Sequence, residues 1–190
     1  LNIEQKQYTL SREESILQIL KLLENNDIVL STTGKASREI FELRKILGHN
    51  TENDFRVVGS MGHISSIALG INTQIPDRNI YCLDGDGSLI MHMGSMSTIG
   101  HYSNTNFKHI LLNNFSHDSV GGQSTSSPAI DFSYLSKGFS YKDFFRITEK
   151  SHFESVFSHF QKSLGPSLLE IVISKGSRED LGRPDVSPSI

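Results

Sequence analysis

This chain of 190 residues has few of the features that would cross-link it or place it in a membrane. Its single cysteine, Cys82, excludes an internal disulfide and suits a reducing, cytoplasmic compartment. No apolar run approaches the roughly 18 residues of a transmembrane helix, and no secretory signal is visible, so we expect no membrane partner. The formal net charge of −3 gives no electrostatic reason to expect nucleic acid. The length suits one domain with its own core.

Two familiar ligand motifs are also absent. The eight histidines lack the spacing of zinc-binding motifs, so a zinc site is not expected. The segment 33–37, TGKAS, is similar to the end of a Walker A loop, but Val29 stands where the first glycine of that loop is required. The segment is therefore not a P-loop. Lys35 and Arg38 still follow an apolar strand and are candidates to neutralise an anionic group.

Short apolar runs alternate with amphipathic segments of helical period along most of the chain. This alternation predicts an α/β fold, a doubly wound and mainly parallel sheet with helices on both faces. The main predicted strands are 28–30, 55–58, 80–83, 110–112 and 168–173, with 144–147 as an edge strand. The main predicted helices are 11–25, 36–47, 65–70, 88–101, 131–137 and 151–162. Capping boxes are predicted at Ser11 with Glu14, and at Ser151 with Glu154.

The stretch from Ile80 to Gln123 carries the polar residues of greatest interest. An apolar run ends in Asp84-Gly85-Asp86-Gly87-Ser88, and the next ends in Asn113-Asn114. Parallel strands end at the same edge of a sheet, so Asp86 and Asn114 would face one another across a crevice. Carboxylate and amide oxygens suit Mg²⁺, and a helix beginning after Gly87 would direct N–H groups at a phosphate. The residues thus suggest a metal-bridged diphosphate, although a βα turn without a ligand has the same composition.

The spacing Gly85-Asp86-Gly87, then 25 residues, then Asn113-Asn114 resembles the cofactor motif of the thiamine-diphosphate-dependent decarboxylase and transketolase superfamily. The resemblance implies that Asp86, Asn114 and the main-chain oxygen of Ser116 bind Mg²⁺. Upstream, Gly59-Ser60-Met61-Gly62 resembles the family segment in which an apolar residue, here Met61, holds the cofactor bent. The implied cofactor-binding set is Gly59, Ser60, Met61, Gly85, Asp86, Gly87, Ser88, Asn114, Ser116 and His117.

Four longer segments narrow the resemblance. GSMGHISSIALGI, CLDGDGSLIMHMG, NNFSHDSVGGQ and SREDLGRP are similar to the phosphonopyruvate decarboxylase family, and sulfopyruvate decarboxylases match His117 to Val120 less well. The resemblance implies decarboxylation of a small anionic 2-oxo acid on thiamine diphosphate, with release of phosphonoacetaldehyde in phosphonate biosynthesis. His63 and His117 are then candidates to contact substrate, and Arg178 and Arg183 to pair with its phosphonate.

The resemblance also implies that half of the active site lies elsewhere. In this superfamily the activating glutamate belongs to a pyrimidine-binding domain, which would lie on the same full-length chain or on a separate subunit. Because the sequence begins at Leu1, not Met, we expect a linker at 1–10, a pyrophosphate-binding domain at 11–175 and a tail at 176–190. We therefore expect no activity from this chain alone, and a homo-oligomer, dimeric or larger.

Other interpretations remain open at this point. The chain would also suit the β chain of a sulfopyruvate decarboxylase. A subunit of a 2-oxo acid oxidoreductase would require iron–sulfur cysteines, and a lone Cys82 argues against that. A third alternative is a non-catalytic, flavodoxin-like module that binds a phosphate or nucleotide in the same crevice. The Gly- and Ser-rich segment 121–129 is either a lid over the site or an ordinary surface loop.

Overall fold

The computed structural model describes residues 8–182. Its strands are β1 (Ile28–Ser31), β2 (Asp54–Arg56), β3 (Ile80–Gly85), β4 (Phe107–Asn113), β5 (Asp143–Ile147) and β6 (Ser167–Val172). Its α-helices are α1 (Arg12–Leu22), α2 (Lys35–Leu47), α3 (Ile64–Gln74), α4 (Asp86–Met91), α5 (Ser95–Tyr102), α6 (Phe132–Gly138) and α7 (Phe153–Lys162). Within the described range, no helix is both long enough and apolar enough to span a membrane.

The strands form one six-stranded sheet in the order β2-β1-β3-β4-β6-β5, and every neighbouring pair is parallel. Strands β1, β4 and β6 are buried along their whole length, and β3 is buried up to Gly85. Such burial on both faces explains why these strands have almost continuous apolar sequences. The predicted parallel sheet is confirmed, as is the edge position of the strand around Phe144 to Ile147.

A separate apolar core covers each face of the sheet. On one face, α1, α2 and α7 pack against Tyr81 and Leu83 of β3, and α7 contributes three buried phenylalanines. On the other face, α3, α5 and α6 pack against Ile80 and Cys82 of the same strand. Because alternate residues of a strand point to opposite faces, one short strand serves both cores. This arrangement confirms the prediction of helices on both sides.

Several element boundaries differ from the predicted ones. The helix expected up to His101 is broken, because the chain leaves helical geometry at His92 and resumes it only after Gly94. The capping box at Ser151 is wrong: this residue lies in a 3₁₀ turn, and α7 begins at Phe153 without a side-chain cap. The other capping box, Ser11 with Glu14, forms as predicted.

Two further elements are shorter than expected. The first helix ends at Leu22 instead of Asn25. The strand predicted at 55–58 ends at Arg56, although the N–H of Val57 still donates to the carbonyl of Ser31. Val58 is 93% exposed, because the chain leaves the sheet at this point. The apolar character of Val57 and Val58 therefore exaggerated the length of the strand.

Candidate functional site

The sheet has a crevice at the point where its strand order changes direction. From β1 the chain moves outward to β2, whereas β3 lies on the opposite side of β1. The connections after β1 and β3 therefore diverge, and open α/β sheets bind ligands at such a point, beyond the carboxyl ends of their strands. A cavity of about 90 Å³ lies there. Its walls include residues that follow β1 (Thr32, Thr33, Lys35), β3 (Gly85 to Ser88) and β4 (Asn114, Ser116 to Val120).

Asp86 lies in the wall of this crevice at the start of α4 and is 2% exposed. The hydroxyl of Thr125 donates a hydrogen bond to its Oδ2 at 2.5 Å. Burial raises the pKa of the Asp86 carboxyl above its ordinary value, and hydrogen bonding from Thr125 and from backbone N–H groups, including that of Asn114, opposes the rise. A buried carboxylate of this kind is suited to a cation, because a cation would stabilise its charged form.

Asn114 follows β4 directly and reaches the same crevice. Its Oδ1 accepts from the N–H of Ser116 at 3.1 Å, and its Nδ2 donates to Oδ2 of Asp118 at 2.8 Å. Phe115, which lies between Asn114 and Ser116, has a φ of 58°, a left-handed conformation that reverses the chain beside the crevice. The structure thus brings Asp86 and Asn114 to one crevice, as the spacing of the two polar turns predicts, and Ser116, which only the family resemblance implies, also lines it.

The residues of the crevice fit a magnesium ion carrying a diphosphate. Asp86 and Asn114 present a carboxylate and an amide oxygen, which are hard ligands of the type that Mg²⁺ uses. The hydroxyl of Ser116 is buried and has no hydrogen-bond partner among residues 8–182, so it is available to a ligand. Gly87 also lines the crevice, and a Cβ there would lie 2.5 Å from Nδ1 of His117, so a larger residue would displace that ring.

Ser88 connects the crevice to the turn before α3. The hydroxyl of Thr32 donates to Oγ of Ser88 at 2.9 Å, and the N–H of Gly62 donates to the same atom at 3.1 Å. Gly62 has a φ of 87°, and a Cβ there would lie 2.7 Å from the ring of His92. These contacts hold the Gly59–Gly62 turn against α4, so that Met61 forms part of the crevice wall.

The structure places only some of the remaining candidate residues at the crevice. His117 and Lys35 line the crevice. Gly59, Ser60 and His63 are exposed and lie outside its wall, and the ring of His63 stacks on His92 at 4.1 Å between centroids. Arg178 pairs with Glu13, Glu42 and Asp180, so its charge is already matched. Arg183 lies outside the described residues, and Arg38 does not line the crevice.

Sequence reasoning missed four residues of the site. Arg12, Thr32 and Asp118 line the crevice, and Thr125 reaches Asp86 from the segment predicted to be a loop. In that segment Gly121 to Gln123 are exposed, while Thr125 and Ser127 are buried. A polar residue in a Gly- and Ser-rich segment gives no periodic signal, so only the folded chain reveals which of its hydroxyls turn inward.

Residues 32–171 match the family model of the thiamine pyrophosphate enzyme C-terminal TPP binding domain, a range that contains Asp86, Asn114 and Thr125. The chain belongs to this family. It is therefore a thiamine-diphosphate-binding domain, and the alternative of a non-catalytic flavodoxin-like module is not favoured.

The relatives are decarboxylases. The chain is 34% identical over 179 residues to phosphonopyruvate decarboxylase of Streptomyces viridochromogenes, covering 94% of this chain and 44% of that protein. It is 30% identical over 161 residues to sulfopyruvate decarboxylase subunit beta of Methanocaldococcus jannaschii, covering 83% of this chain and 80% of the subunit. The chain thus spans less than half the length of the phosphonopyruvate decarboxylase.

A solved structure shows the same fold. An X-ray structure of a Mycobacterium smegmatis protein, assigned to the thiamin diphosphate-dependent enzymes, superposes with a TM-score of 0.72 at 16% identity. The superposition covers 88% of this chain and 32% of that one. At this identity the likeness establishes the arrangement of strands and helices, and it agrees with the parallel sheet described above.

Proposed function

We propose that this chain is the thiamine-diphosphate- and Mg²⁺-binding half of a 2-oxo acid decarboxylase that converts phosphonopyruvate to phosphonoacetaldehyde and CO₂. The observation that carries the proposal is the meeting of Asp86 and Asn114 at one buried crevice of the sheet. The choice of phosphonopyruvate is supported by the similarity to phosphonopyruvate decarboxylases over 94% of the chain. A role in phosphonate biosynthesis follows from that substrate.

Within this proposal each crevice residue has a distinct task. Asp86, Asn114 and the main-chain oxygen of Ser116 would hold the metal, and the Ser88 hydroxyl would bind the diphosphate. Met61 would supply an apolar contact to the cofactor, and Gly59 and Ser60, outside the crevice wall, would hold its pyrimidine ring. The bound cofactor supplies the nucleophile and the electron sink for loss of CO₂. His117, in the crevice wall, is the better placed of the two histidines to contact substrate.

The proposed site is incomplete without a pyrimidine-binding domain. The chain spans 44% of the phosphonopyruvate decarboxylase but 80% of a subunit named beta, so that domain would lie on the same full-length chain or on a separate subunit. We propose that residues 11–175 form the pyrophosphate-binding domain, with a linker at 1–10 and a tail at 176–190. The missing domain would contribute the activating glutamate, and the assembly would be at least dimeric.

Turnover assays test this division of labour. Phosphonopyruvate and sulfopyruvate are each supplied, with thiamine diphosphate and Mg²⁺, to this chain alone and to this chain joined to a pyrimidine-binding domain. We expect CO₂ release only from the joined form and only with phosphonopyruvate. Turnover by the chain alone would refute the split site. Turnover with sulfopyruvate instead would establish the second candidate, which the 80% coverage of the beta subunit favours.

Lys35 is predicted to contact the negatively charged diphosphate of the cofactor. Its side chain is part of the crevice wall at the start of α2, whereas Arg38 on the same helix is not. Charge-assisted hydrogen bonds contribute about 1.5–3 kcal/mol, so Lys35→Gln should weaken thiamine diphosphate binding by roughly tenfold or more. Isothermal titration calorimetry measures the effect, and Arg38→Gln is the matched control. Equal weakening in both variants would indicate a general electrostatic effect instead of a contact with the diphosphate.

A further inference from the structure

We infer that Asp118 is a positioning residue that fixes the carboxamide of Asn114, so that its oxygen is presented to the metal. The inference rests on the proposed function, because it assigns to Asn114 the role of a metal ligand. The observation behind it is a hydrogen bond of 2.8 Å from Nδ2 of Asn114 to Oδ2 of Asp118. Asp118 itself lines the crevice, four residues further along the chain.

The two ends of the Asn114 carboxamide have similar shape and opposite hydrogen-bonding character. Its Nδ2 faces the carboxylate of Asp118, and its Oδ1 faces the N–H of Ser116 at 3.1 Å. A rotation by 180° would place an oxygen against a carboxylate and an NH₂ group against an N–H donor. Both contacts would be repulsive. Asp118 and the backbone of Ser116 thus select the same orientation, which leaves the second lone pair of Oδ1 for a cation.

The carboxylate of Asp118 is itself held by three segments of the chain. Its Oδ2 accepts from the N–H of Gly176 at 2.8 Å and from Nη1 of Arg12 at 3.4 Å. Arg12 is 7% exposed and is anchored by Glu39, with Nε to Oε2 at 2.7 Å and Nη2 to Oε1 at 2.9 Å. The start of α1, helix α2 and the segment after β6 therefore converge behind the residue that contacts Asn114.

The distances argue against a purely structural ion pair between Asp118 and Arg12. Arg12 already makes two short bonds with Glu39, and its contact with Asp118 is longer, at 3.4 Å. The short bonds of Asp118 go to Asn114 and to the backbone of Gly176. The arrangement therefore restrains Asp118, and Asp118 in turn restrains Asn114. Substitution of residues that orient metal ligands typically lowers metal affinity about 10- to 100-fold.

A matched pair of variants tests the inference. Asp54 in β2 is also held by an arginine, Arg44, at 2.9 and 3.1 Å, and it does not line the crevice. Asp118→Ala and Asp54→Ala each remove a carboxylate acceptor from a buried pair. Affinity is measured calorimetrically with Mg²⁺ and thiamine diphosphate, and with Mn²⁺ by paramagnetic relaxation. We expect Asp118→Ala to lower metal affinity at least tenfold, and Asp54→Ala to leave it unchanged even if it lowers the unfolding midpoint.

A second measurement needs no bound metal. Hydrogen exchange of the Asn114 side-chain NH₂, followed by nuclear magnetic resonance in the unliganded chain, should be slow in the wild type and fast in Asp118→Ala. Fast exchange in the wild type would overturn the inference, as would equal metal affinity in wild type and Asp118→Ala. Failure of the wild type to bind the metal and cofactor at all, even when it is joined to a pyrimidine-binding domain, would overturn the proposed function, and the positioning role with it. That outcome is distinguishable, because no difference among variants would then be measurable.

Discussion

Asp86→Ala should abolish decarboxylation by the chain joined to a pyrimidine-binding domain, and should lower the affinity for Mg²⁺ and thiamine diphosphate by more than about 100-fold. Removal of residues that merely orient metal ligands costs 10- to 100-fold, so loss of a charged ligand should cost more. The substitution also leaves the Thr125 hydroxyl without its acceptor at 2.5 Å. Calorimetric titration of cofactor into the chain, with and without Mg²⁺, measures the loss directly and does not depend on turnover.

Two further variants separate charge from folding. Asp86→Asn retains an acceptor for Thr125 but removes the negative charge, so it should fold normally and still bind the metal poorly. Asp77 is exposed and lies in the connection before β3, at the amino ends of the strands, whereas the crevice lies beyond their carboxyl ends. Asp77→Ala should therefore bind as the wild type does. Mg²⁺-dependent binding by Asp86→Ala at the wild-type level would remove Asp86 from the metal site.

Gly100→Ala should destabilise the folded chain by about 2 kcal/mol, although alanine is the better helix former. Gly100 lies in α5, and a Cβ there would overlap the backbone oxygen of Phe139, which follows α6. The helix could accept the methyl group only by moving away from that backbone, and overpacking of this kind costs about 1–3 kcal/mol or more. Urea denaturation followed by circular dichroism gives the change in unfolding free energy.

Gly70→Ala is a control variant for which we expect the unfolding free energy to change in the opposite direction. It lies in α3, is exposed, and has no atom within 4 Å of its added Cβ. Gly70→Ala should therefore stabilise the chain by about 0.5–1 kcal/mol, because alanine loses less backbone entropy in a helix. The helical geometry and the substitution are the same at both sites, and only the close approach of Phe139 differs. Destabilisation at both positions, or at neither, would contradict the packing of α5 against this segment.

The parts of the fold that depend on local pattern could be predicted from the sequence. The capping box of α1 involves residues three apart, and the buried strands have continuous apolar runs. The Ser151 capping box failed because burial of Phe153 and the preceding 3₁₀ turn determine where α7 begins. The break between α4 and α5 was not predicted, because the apolar helical pattern continues on both sides of Gly94.

The residues of the site fall into the same two groups, those that a local sequence pattern predicts and those that depend on tertiary packing. Asp86 and Asn114 could be placed together because each directly follows a strand and the two strands are parallel. Arg12 and Asp118 are 106 residues apart, and Asp86 and Thr125 are 39 apart, so no local pattern connects either pair. These contacts depend on which loop covers the crevice and on how α1 packs against α2. They are properties of tertiary packing, and no periodicity in the sequence encodes them.

Labelling of the single cysteine thiol, in a central strand of the sheet, can be used to measure unfolding of the chain. Cys82 is 0% exposed, and burial raises the pKa of its thiol well above the ordinary value. A thiolate-specific reagent can therefore modify it only in molecules whose central strand has opened. A ligand that binds the folded form alone reduces that open population by the factor 1 + [L]/Kd. The rate of thiol labelling would thus yield a dissociation constant for the cofactor without any enzymatic assay.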